Sequence, residues 1–232
     1  MALNVIMLGA PGAGKGTQAE RFARLHGVPR ISTGDMLRDA IKQGLPLALK
    51  AREKMDRGEL VDDETMVGIV RERLGRPDAA AGFVLDGFPR TVVQGRALDQ
   101  IVEERGGGAL VVADIVVPED ELVRRLSTRR ICSSCGVNAD PTDTAAAVCR
   151  ACGGSLVYRS DDNDRVVLER LRVYAQSTRP LVDYYRGRPT FRTVNGAQPP
   201  DRVAEELEET IADAVRVGAA LSHSERSGSG RR

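Results

Sequence analysis

The sequence is poor in histidine, in net charge and in long apolar runs, and each shortage excludes something. Only 2 of its 232 residues are histidine, and 34 basic residues against 33 acidic ones leave a formal charge of +1. So small a net charge gives no general support for binding to nucleic acid or to membrane surfaces. No apolar run approaches the ~18 residues that a transmembrane helix needs. The first residues lack the basic segment of a signal peptide, so we expect an intracellular, cytoplasmic protein.

Composition and pattern indicate a folded α/β protein. Hydrophobic residues make up 41% of the chain and charged residues 29%, which is typical of globular proteins. Short apolar runs, as in buried strands, occur at residues 3–8, 82–85, 109–117 and 191–194, and helical patterns occur at 15–25, 91–105, 119–129, 162–185 and 201–217. Strands that alternate with helices predict a parallel sheet with helices on both faces.

Two segments interrupt this alternation, and we interpret them as insertions into the core. Residues 32–61 have helical patterns with no strand between them, and residues 128–160 contain all four cysteines. The expected core then consists of residues 1–31, 62–127 and 161–217. Residues 218–232 are rich in Ser, Gly and Arg, a composition that predicts a disordered tail.

A glycine-rich loop, Gly9–Thr17 (GAPGAGKGT), follows the first predicted strand and precedes a helix. A glycine, four residues and then Gly-Lys is the spacing of a P-loop. The glycines let backbone N–H groups surround a phosphate, the helix N-terminus adds partial positive charge, and Lys15 reaches the β- and γ-phosphates. The hydroxyl that usually follows the lysine is displaced from Gly16 to Thr17. The loop therefore predicts nucleotide binding, and the alternative is a turn that only joins strand to helix.

The four cysteines form two CxxC pairs, Cys132–Cys135 and Cys149–Cys152, each followed directly by glycine. Four thiolates in this spacing favour tetrahedral Zn²⁺. Disulfides are a weaker alternative because the cytosol is reducing. Redox chemistry is weaker still, because the pairs lie outside any strand-helix register. A metal that holds together a small segment poor in apolar residues is structural, with closed coordination.

The glycine-rich loop and three further blocks resemble the adenylate kinase family. The blocks are Ser32–Arg38 (STGDMLR), Asp86–Arg90 (DGFPR) with Gln94 following, and the pair Asp161-Asp162, in the family's order over roughly residues 3–217. The resemblance implies a monomer that transfers the γ-phosphoryl group of ATP reversibly to AMP with Mg²⁺, giving two ADP. It also implies that residues 32–61 bind AMP, and that residues 128–160 form a zinc-containing lid that excludes water. The linker between the cysteine pairs is shortened here.

The resemblance also implies which residues form the site. The ATP contacts fall on Gly12, Ala13, Gly14, Lys15, Gly16, Thr17, Arg125, Arg129 and Pro199. The AMP contacts fall on Thr33, Arg38, Val61, Gly87, Arg90, Gln94, Arg159 and Arg170. The catalytic groups are Lys15, Asp86, Arg90, Arg129, Arg159 and Arg170. The family lysine before Pro199 is Gln198 in this chain.

An arginine-rich site without a catalytic histidine suits this chemistry. A phosphate acceptor is already ionised at neutral pH, so the protein has only to position the substrates and neutralise charge. Arginine binds phosphate oxygens with a planar fork. Asp86, at the carboxyl end of a predicted strand, is placed to orient Mg²⁺. The structural alternatives are that Asp86 caps a turn and that Asp161-Asp162 caps a helix.

Two other functions stay open at this point. The first is a kinase of the same fold for another nucleoside monophosphate, against which Thr33 and Gln94 speak. The second is a nucleic-acid-binding switch that reads its target with the zinc ribbon. Between Cys132 and Gly154, however, Arg150 is the only basic residue and there is no aromatic residue. Such a segment is poorly equipped for phosphate contacts or base stacking.

Overall fold

A computed structural model of the chain describes residues 2–44, 46–106, 108–139, 143, 145–159 and 162–228. Its main sheet consists of β1 (Leu3–Leu8), β2 (Arg30–Ser32), β3 (Gly82–Asp86), β4 (Leu110–Val116) and β7 (Phe191–Asn195). The strands are parallel, in the order β2-β3-β1-β4-β7. The predicted parallel sheet is confirmed. The first strand lies at its centre, which places the loop after β1 at the middle of the carboxyl edge.

Helices surround this sheet. They are α1 (Lys15–His26), α2 (Thr33–Lys42), α3 (Pro46–Asp56), α4 (Asp63–Leu74), α5 (Val92–Glu104), α6 (Glu119–Ser127), α7 (Asp164–Val173), α8 (Arg179–Arg186) and α9 (Pro200–Gly228). None of those in the described part of the chain combines the length and the apolar content that crossing a membrane takes.

The two faces of the sheet carry separate hydrophobic clusters because side chains along a strand point alternately to opposite sides. In β1, Val5 enters one cluster together with Phe22 of α1 and residues of α6 and α9. Its neighbour Ile6 enters the other, with Leu98 of α5 and residues of α2, α4 and α8. Val5 and Ile6 are both fully buried. The nearly continuous apolar strands of the sequence are thus explained by burial on both faces.

The two predicted insertions have different structures. Helices α2 and α3 occupy most of residues 32–61. The cysteine segment contains a small antiparallel sheet of β5 (Arg130–Cys132) and β6 (Leu156–Tyr158). Its chain enters after α6 and leaves before α7, so both of its ends join helices of the core.

The structure departs from the predicted elements in several places. Strand β2 and helix α4 were absent from the prediction, and β2 has only three residues, too few for a periodicity to appear. The predicted helix at 162–185 is instead two helices joined by one π-helical turn, Tyr174–Thr178. Helix α9 continues to Gly228, through part of the segment predicted to be disordered. At its position 218 there is no room for a side chain, since a Cβ would lie 2.6 Å from that of Ala109.

Candidate functional site

The glycine-rich loop lies between β1 and α1 and is folded around Lys15. Gly12 and Gly14 have φ angles of 87° and 89°, which favour glycine. The Lys15 ammonium donates to the carbonyl oxygens of Gly9 at 2.8 Å and Ala10 at 2.9 Å. Burial lowers the pKa of Lys15 to about 8, and the Asp86 carboxylate opposes that shift. A cation therefore stands at the centre of the loop, next to the N-terminus of α1.

Asp86 lies directly beneath this loop in an ion pair with Arg30. The Arg30 Nη2 is 2.8 Å from Asp86 Oδ2 and 3.0 Å from Asp35 Oδ2. A Cβ at Gly16 would lie 3.1 Å from Asp86 Oδ2 and 3.2 Å from Arg30 Nη2. Asp86 therefore belongs to a charged network with Arg30 and Asp35. The alternative that Asp86 only caps a turn does not account for this network. Sequence reasoning missed Arg30, although a charged residue at the start of a buried strand, just before the Ser32–Arg38 block, is a usable signal.

A cleft opens at the phosphate loop. Lys15, Arg90 and Arg170, three of the residues predicted to bind phosphate, line it. They come from the loop after β1, the loop after β3 and helix α7. Leu60, just after α3, forms part of the wall. The cleft therefore brings cations of the core together with residues of the predicted AMP-binding segment.

The loop after β3 is held in place by side chains. Thr33 Oγ1 donates to the Gly87 carbonyl oxygen at 2.9 Å, and Arg90 Nε donates to the same oxygen at 2.8 Å. The Arg90 backbone N–H donates to Gln94 Oε1 at 2.8 Å, and Gln94 Nε2 donates to Asp63 Oδ1 at 2.8 Å. Gln94 is buried. In this structure Thr33 and Gln94 hold the loop that carries Arg90. Asp63, which completes the arrangement from α4, was absent from the sequence prediction.

Arg38 and Val61 both belong to the predicted AMP-binding insertion, residues 32–61: Arg38 is on α2 and Val61 is its last residue. The Arg38 guanidinium is bound by the Asp35 carboxylate, three residues earlier on α2. Asp35 also binds Arg30, so the pair Arg30–Asp86 and the predicted AMP contact Arg38 share one network. The pKa of Asp35 is lowered: burial raises it, but hydrogen bonding and charge from Arg38, together with Arg30, outweigh burial. Val61 packs against the hydrophobic cluster that contains α4 and α5.

The Asp162 carboxylate gathers the arginines next to the cysteine segment. It accepts hydrogen bonds from Arg129 Nε and Nη2, both at 2.6 Å, and from Arg170 Nη1 at 2.7 Å. Arg159 Nε lies 3.9 Å away. The side chain of Asp162 is 3% exposed. The structure thus places three predicted phosphate-binding arginines around one buried carboxylate.

Asp162 is not the helix cap that the sequence offered as an alternative. The cap of α7 is Asn163, whose side chain accepts a hydrogen bond from the Val166 N–H. Asp161, the other half of that alternative, lies outside the described residues. The carboxylate of Asp162 instead accepts hydrogen bonds from Arg129 and Arg170, so this part of the capping alternative is wrong.

The two residues predicted to contact the ATP base, Arg125 and Pro199, lie on α6 and just before α9. Arg125 is on α6, where its Nε is 2.6 Å from Glu121 Oε1. Hydrogen bonds from Arg124 and Arg125 lower the pKa of Glu121 to about 2. Pro199 is exposed, just before α9, and the preceding Gln198 donates to the side chain of Glu206. A second hollow lies between the ends of β4 and β7 beside this loop.

The four cysteines come together as predicted, and their sulfur atoms lie within 4.8 Å of one another. The Sγ atoms of Cys132 and Cys152 are 3.4 Å apart, and those of Cys135 and Cys149 are 3.7 Å apart. Zinc-sulfur bonds of ~2.3 Å in a tetrahedron imply edges of about 3.8 Å, so the thiols fit a tetrahedral metal ion. All four cysteines are free, in contrast to the disulfide alternative. The four-cysteine group is therefore able to hold a metal.

Backbone geometry supports this cluster. The Cys135 N–H lies 3.5 Å from Cys132 Sγ, and this hydrogen bond is the main reason why the pKa of the Cys132 thiol falls to about 6. Both glycines after the CxxC pairs have positive φ, 73° at Gly136 and 74° at Gly153. A Cβ at Gly154 would lie 2.8 Å from Cys132 Sγ. The sequence thus folds the two pairs toward one point, with glycine where a side chain would collide.

The central parallel sheet, the phosphate loop at its carboxyl edge and the cation-lined cleft define a nucleotide-binding P-loop protein. Comparison with known proteins narrows this class. The model of the adenylate kinase family matches residues 7–189. Adenylate kinase of Archaeoglobus fulgidus is 48% identical over 211 residues, 89% of this chain and 96% of the relative. The corresponding enzyme of Bacillus subtilis is 48% identical over 200 residues, 84% and 92% of the two chains.

The chain belongs to the adenylate kinase family. It is therefore a phosphotransferase, and the family, the fold and the type of enzyme predicted from the sequence are confirmed. The roles of the individual site residues stay predictions. The structure adds two residues that hold the predicted groups, Arg30 and Asp63, and shows that Asp162 binds the arginines Arg129 and Arg170.

Proposed function

We propose that the enzyme transfers the γ-phosphoryl group of ATP reversibly to AMP, giving two ADP. The observation that carries this proposal is the convergence of Lys15, Arg90 and Arg170 on one cleft at the phosphate loop. Two nucleotides brought end to end there would place their phosphates among three cations. Membership of the adenylate kinase family supports the same reaction.

The donor nucleotide is proposed to bind along the loop between β1 and α1. The backbone N–H groups from Gly12 to Thr17, at the N-terminus of α1, suit the β- and γ-phosphates, and Lys15 adds a full charge. The adenine is proposed to lie between Arg125 and Pro199, near the hollow between the ends of β4 and β7. Because Gln198 donates a hydrogen bond to the Glu206 side chain, contact with the base is proposed for Arg125 and Pro199 and not for Gln198.

The acceptor nucleotide is proposed to bind where the insertion faces the loop after β3. Arg38 and Arg90 are the groups for its phosphate, and Val61 and Gly87 supply apolar and backbone surface. Thr33 and Gln94 act there by fixing the loop that carries Arg90, as their hydrogen bonds indicate. The acceptor therefore meets a preformed surface, which lowers the entropic cost of orienting it.

In the transfer step, an oxygen of the AMP phosphate attacks the γ-phosphorus, and the bond from that phosphorus to the bridging oxygen breaks. The electron pair of this bond stays on the β-phosphate of the departing ADP, and no proton needs a base. Arg129, Arg159 and Arg170, gathered by Asp162, are proposed to neutralise the charge on the transferring group. Mg²⁺ would add further neutralisation, and Asp86, an oxygen ligand beneath the loop, is the residue proposed to orient it.

The division of labour along the chain is proposed as follows. Residues 1–31, 62–127 and 161–217 form the core, residues 32–61 bind AMP, and residues 128–160 form a lid that closes over the nucleotides. Cys132, Cys135, Cys149 and Cys152 are proposed to hold a structural Zn²⁺, supported by their spacing in the structure. Free thiols suit the reducing cytoplasm. Since one chain carries all the proposed groups, we propose that it acts as a monomer, without nucleic acid or membrane partners.

The decisive experiment measures ADP formed by the pure protein from Mg-ATP, with AMP, GMP, CMP, UMP or no acceptor. ADP production with AMP, and almost none without an acceptor, supports the proposal and a lid that protects the phosphoryl group. Faster reaction with another monophosphate overturns the choice of AMP while leaving the phosphotransferase in place. Equal ATP hydrolysis with and without acceptor overturns the proposal as a whole.

A further inference from the structure

The helix that follows the cysteine segment contains one turn of unusual width. Within Tyr174–Thr178 the backbone is π-helical, and the Arg179 N–H bonds to the Tyr174 carbonyl oxygen five residues earlier. Pro180 follows directly. Proline has no N–H, and its ring clashes with the carbonyl four residues before it, so a wider turn relieves the conflict. A π turn holds about one residue more than an α turn, which rotates the following side chains by about 100°.

Thr178, the last residue of this turn, reaches the loop that carries Arg90. Its side chain is buried, and its Oγ1 donates to the Arg90 carbonyl oxygen at 2.9 Å. The Arg90 N–H donates to Gln94 Oε1, as described above. Both backbone polar groups of Arg90 are therefore held by side chains, one from α5 and one from the π turn. Since Arg90 Nε is bound to Gly87, the direction of the guanidinium is set at three points.

The same helical segment carries Arg170, one turn before the π turn. Arg170, Arg90 and Thr178 all line the phosphate cleft. Thus one element supplies one arginine directly and holds the backbone of another that comes from a different part of the chain. Phosphoryl transfer depends on such relative placement, since small displacements of a positioned group cost up to ~100-fold in rate.

We propose that Thr178 is a positioning residue, whose hydroxyl fixes Arg90 relative to Arg170 across the cleft. The kinetic test of this inference rests on the proposed function. The hydrogen bond from Thr178 to Arg90 can be tested without it. Thr178 is the last residue of the π turn, which lies just before Pro180.

The first test compares Thr178→Val, which removes the hydroxyl and keeps the shape, with Thr178→Ser, which keeps the hydroxyl. Thr190→Val is the matched control: Thr190 is also buried, and its Oγ1 also donates to a backbone carbonyl, that of Leu110, at 2.7 Å. We expect Thr178→Val to lower kcat/KM for AMP by about 10- to 100-fold, with KM for ATP little changed. Thr178→Ser restores most of the activity. Equal kinetics of Thr178→Val and Thr190→Val overturn the inference.

A double-mutant cycle asks whether Thr178 acts through Arg90. In an Arg90→Ala background, Thr178→Val is expected to have almost no further effect on kcat/KM for AMP, because the group that it positions is gone. If the two losses multiply, Thr178 acts by another route and the inference fails.

A third readout needs no activity. The Nε–H signal of Arg90 in ¹⁵N NMR, assigned by its loss in Arg90→Lys, is expected to exchange faster with solvent in Thr178→Val than in Thr190→Val. Unchanged exchange contradicts the inference. If the wild-type enzyme forms no ADP from ATP and AMP, the proposed function fails, and this comparison still decides the role of Thr178.

Discussion

Arg30 and Asp86 form an ion pair of 2.8 Å directly beneath Gly16 of the phosphate loop. The pair lies where the general P-loop spacing has a hydroxyl-bearing side chain. A Cβ after Lys15 would lie 3.1 Å from Asp86 Oδ2 and 3.2 Å from Arg30 Nη2, so a side chain there would press on the ion pair. The pair also links Asp86 to Asp35, and through it to the side on which AMP is proposed to bind.

Removal of the Arg30 charge is expected to destabilise the protein. Arg30→Gln leaves the carboxylates of Asp86 and Asp35 without their shared cation, and Asp86 is mostly buried. Hydrogen bonds to charged groups contribute ~1.5–3 kcal/mol, so we expect the free energy of unfolding to fall by about 2 kcal/mol in urea titrations. Arg21→Gln is the control, because its ion pair with Asp201 is exposed and exposed substitutions usually change stability by less than ~0.5 kcal/mol. A similar fall in the free energy of unfolding in both variants contradicts the stabilising role of the buried Arg30 ion pair.

ATP affinity is expected to fall above pH 8. The pKa of Lys15 in the free enzyme is about 8, and the phosphates bind its protonated form. Below that pH the Kd is then nearly constant, whereas above it the Kd rises toward tenfold per pH unit and binding takes up a proton. Calorimetric titration from pH 7 to 10, in two buffers of different ionisation enthalpy, measures both effects. Lys15→Arg, which stays charged throughout, is expected to show no such break, and a break in both proteins contradicts the role of Lys15.

The same pKa shift has a consequence for stability. The lysine binds its proton less tightly in the folded protein than in the unfolded one, so its burial is unfavourable below pH 8. That cost is relieved as the pH rises from about 8 toward the ordinary value of 10.5. This contribution therefore increases stability with pH.

Neutralisation of Asp162 is expected to cost both stability and activity. Asp162→Asn leaves Arg129 and Arg170 close together without the buried carboxylate between them. Removal of one partner from a buried ion pair costs ~3–5 kcal/mol, so we expect the free energy of unfolding to fall by about 3 kcal/mol and kcat to fall by about tenfold. Glu121→Gln is the comparison. Glu121 also binds two arginines, on the surface of α6, and its loss is expected to change stability far less. A stable, fully active Asp162→Asn enzyme contradicts the prediction.

A single methyl group in the cysteine segment is expected to weaken metal binding. Gly154→Ala places a Cβ about 2.5 Å from Ser134 Oγ and 2.8 Å from Cys132 Sγ, so the sulfur has to move. We expect the variant to lose zinc to a chelator at lower chelator concentration than the wild type, as measured with a colorimetric zinc dye. Gly68→Ala, in helix α4 with open space around the new Cβ, is expected to retain zinc and to gain up to ~1 kcal/mol of stability. Unaltered retention in Gly154→Ala contradicts the close packing.

Features that depend on neighbouring residues could be predicted from the sequence, whereas contacts between residues far apart in the chain could not. Gly9–Thr17 and the CxxC pairs have fixed spacings, so their structures were predictable from adjacent residues. Arg30 acts on Asp86, and Thr178 on Arg90, across 56 and 88 positions of the chain, and no periodicity records such a contact. Pro180 is an intermediate case: a proline inside the predicted helix at 162–185 is a local signal for a break that the prediction did not use, and it does not specify a π turn.

Asp162 has a consequence for the release of products. A reaction that runs in both directions has to let go of two ADP in one direction and of ATP and AMP in the other. On the proposed roles, Arg129 and Arg170 exchange a nucleotide phosphate for the Asp162 carboxylate, rather than for water, when the nucleotide leaves. What these two arginines contribute to nucleotide affinity is then the difference between binding a phosphate and binding a carboxylate. The proposed roles thus allow the site to concentrate its cations without binding its products too tightly for release.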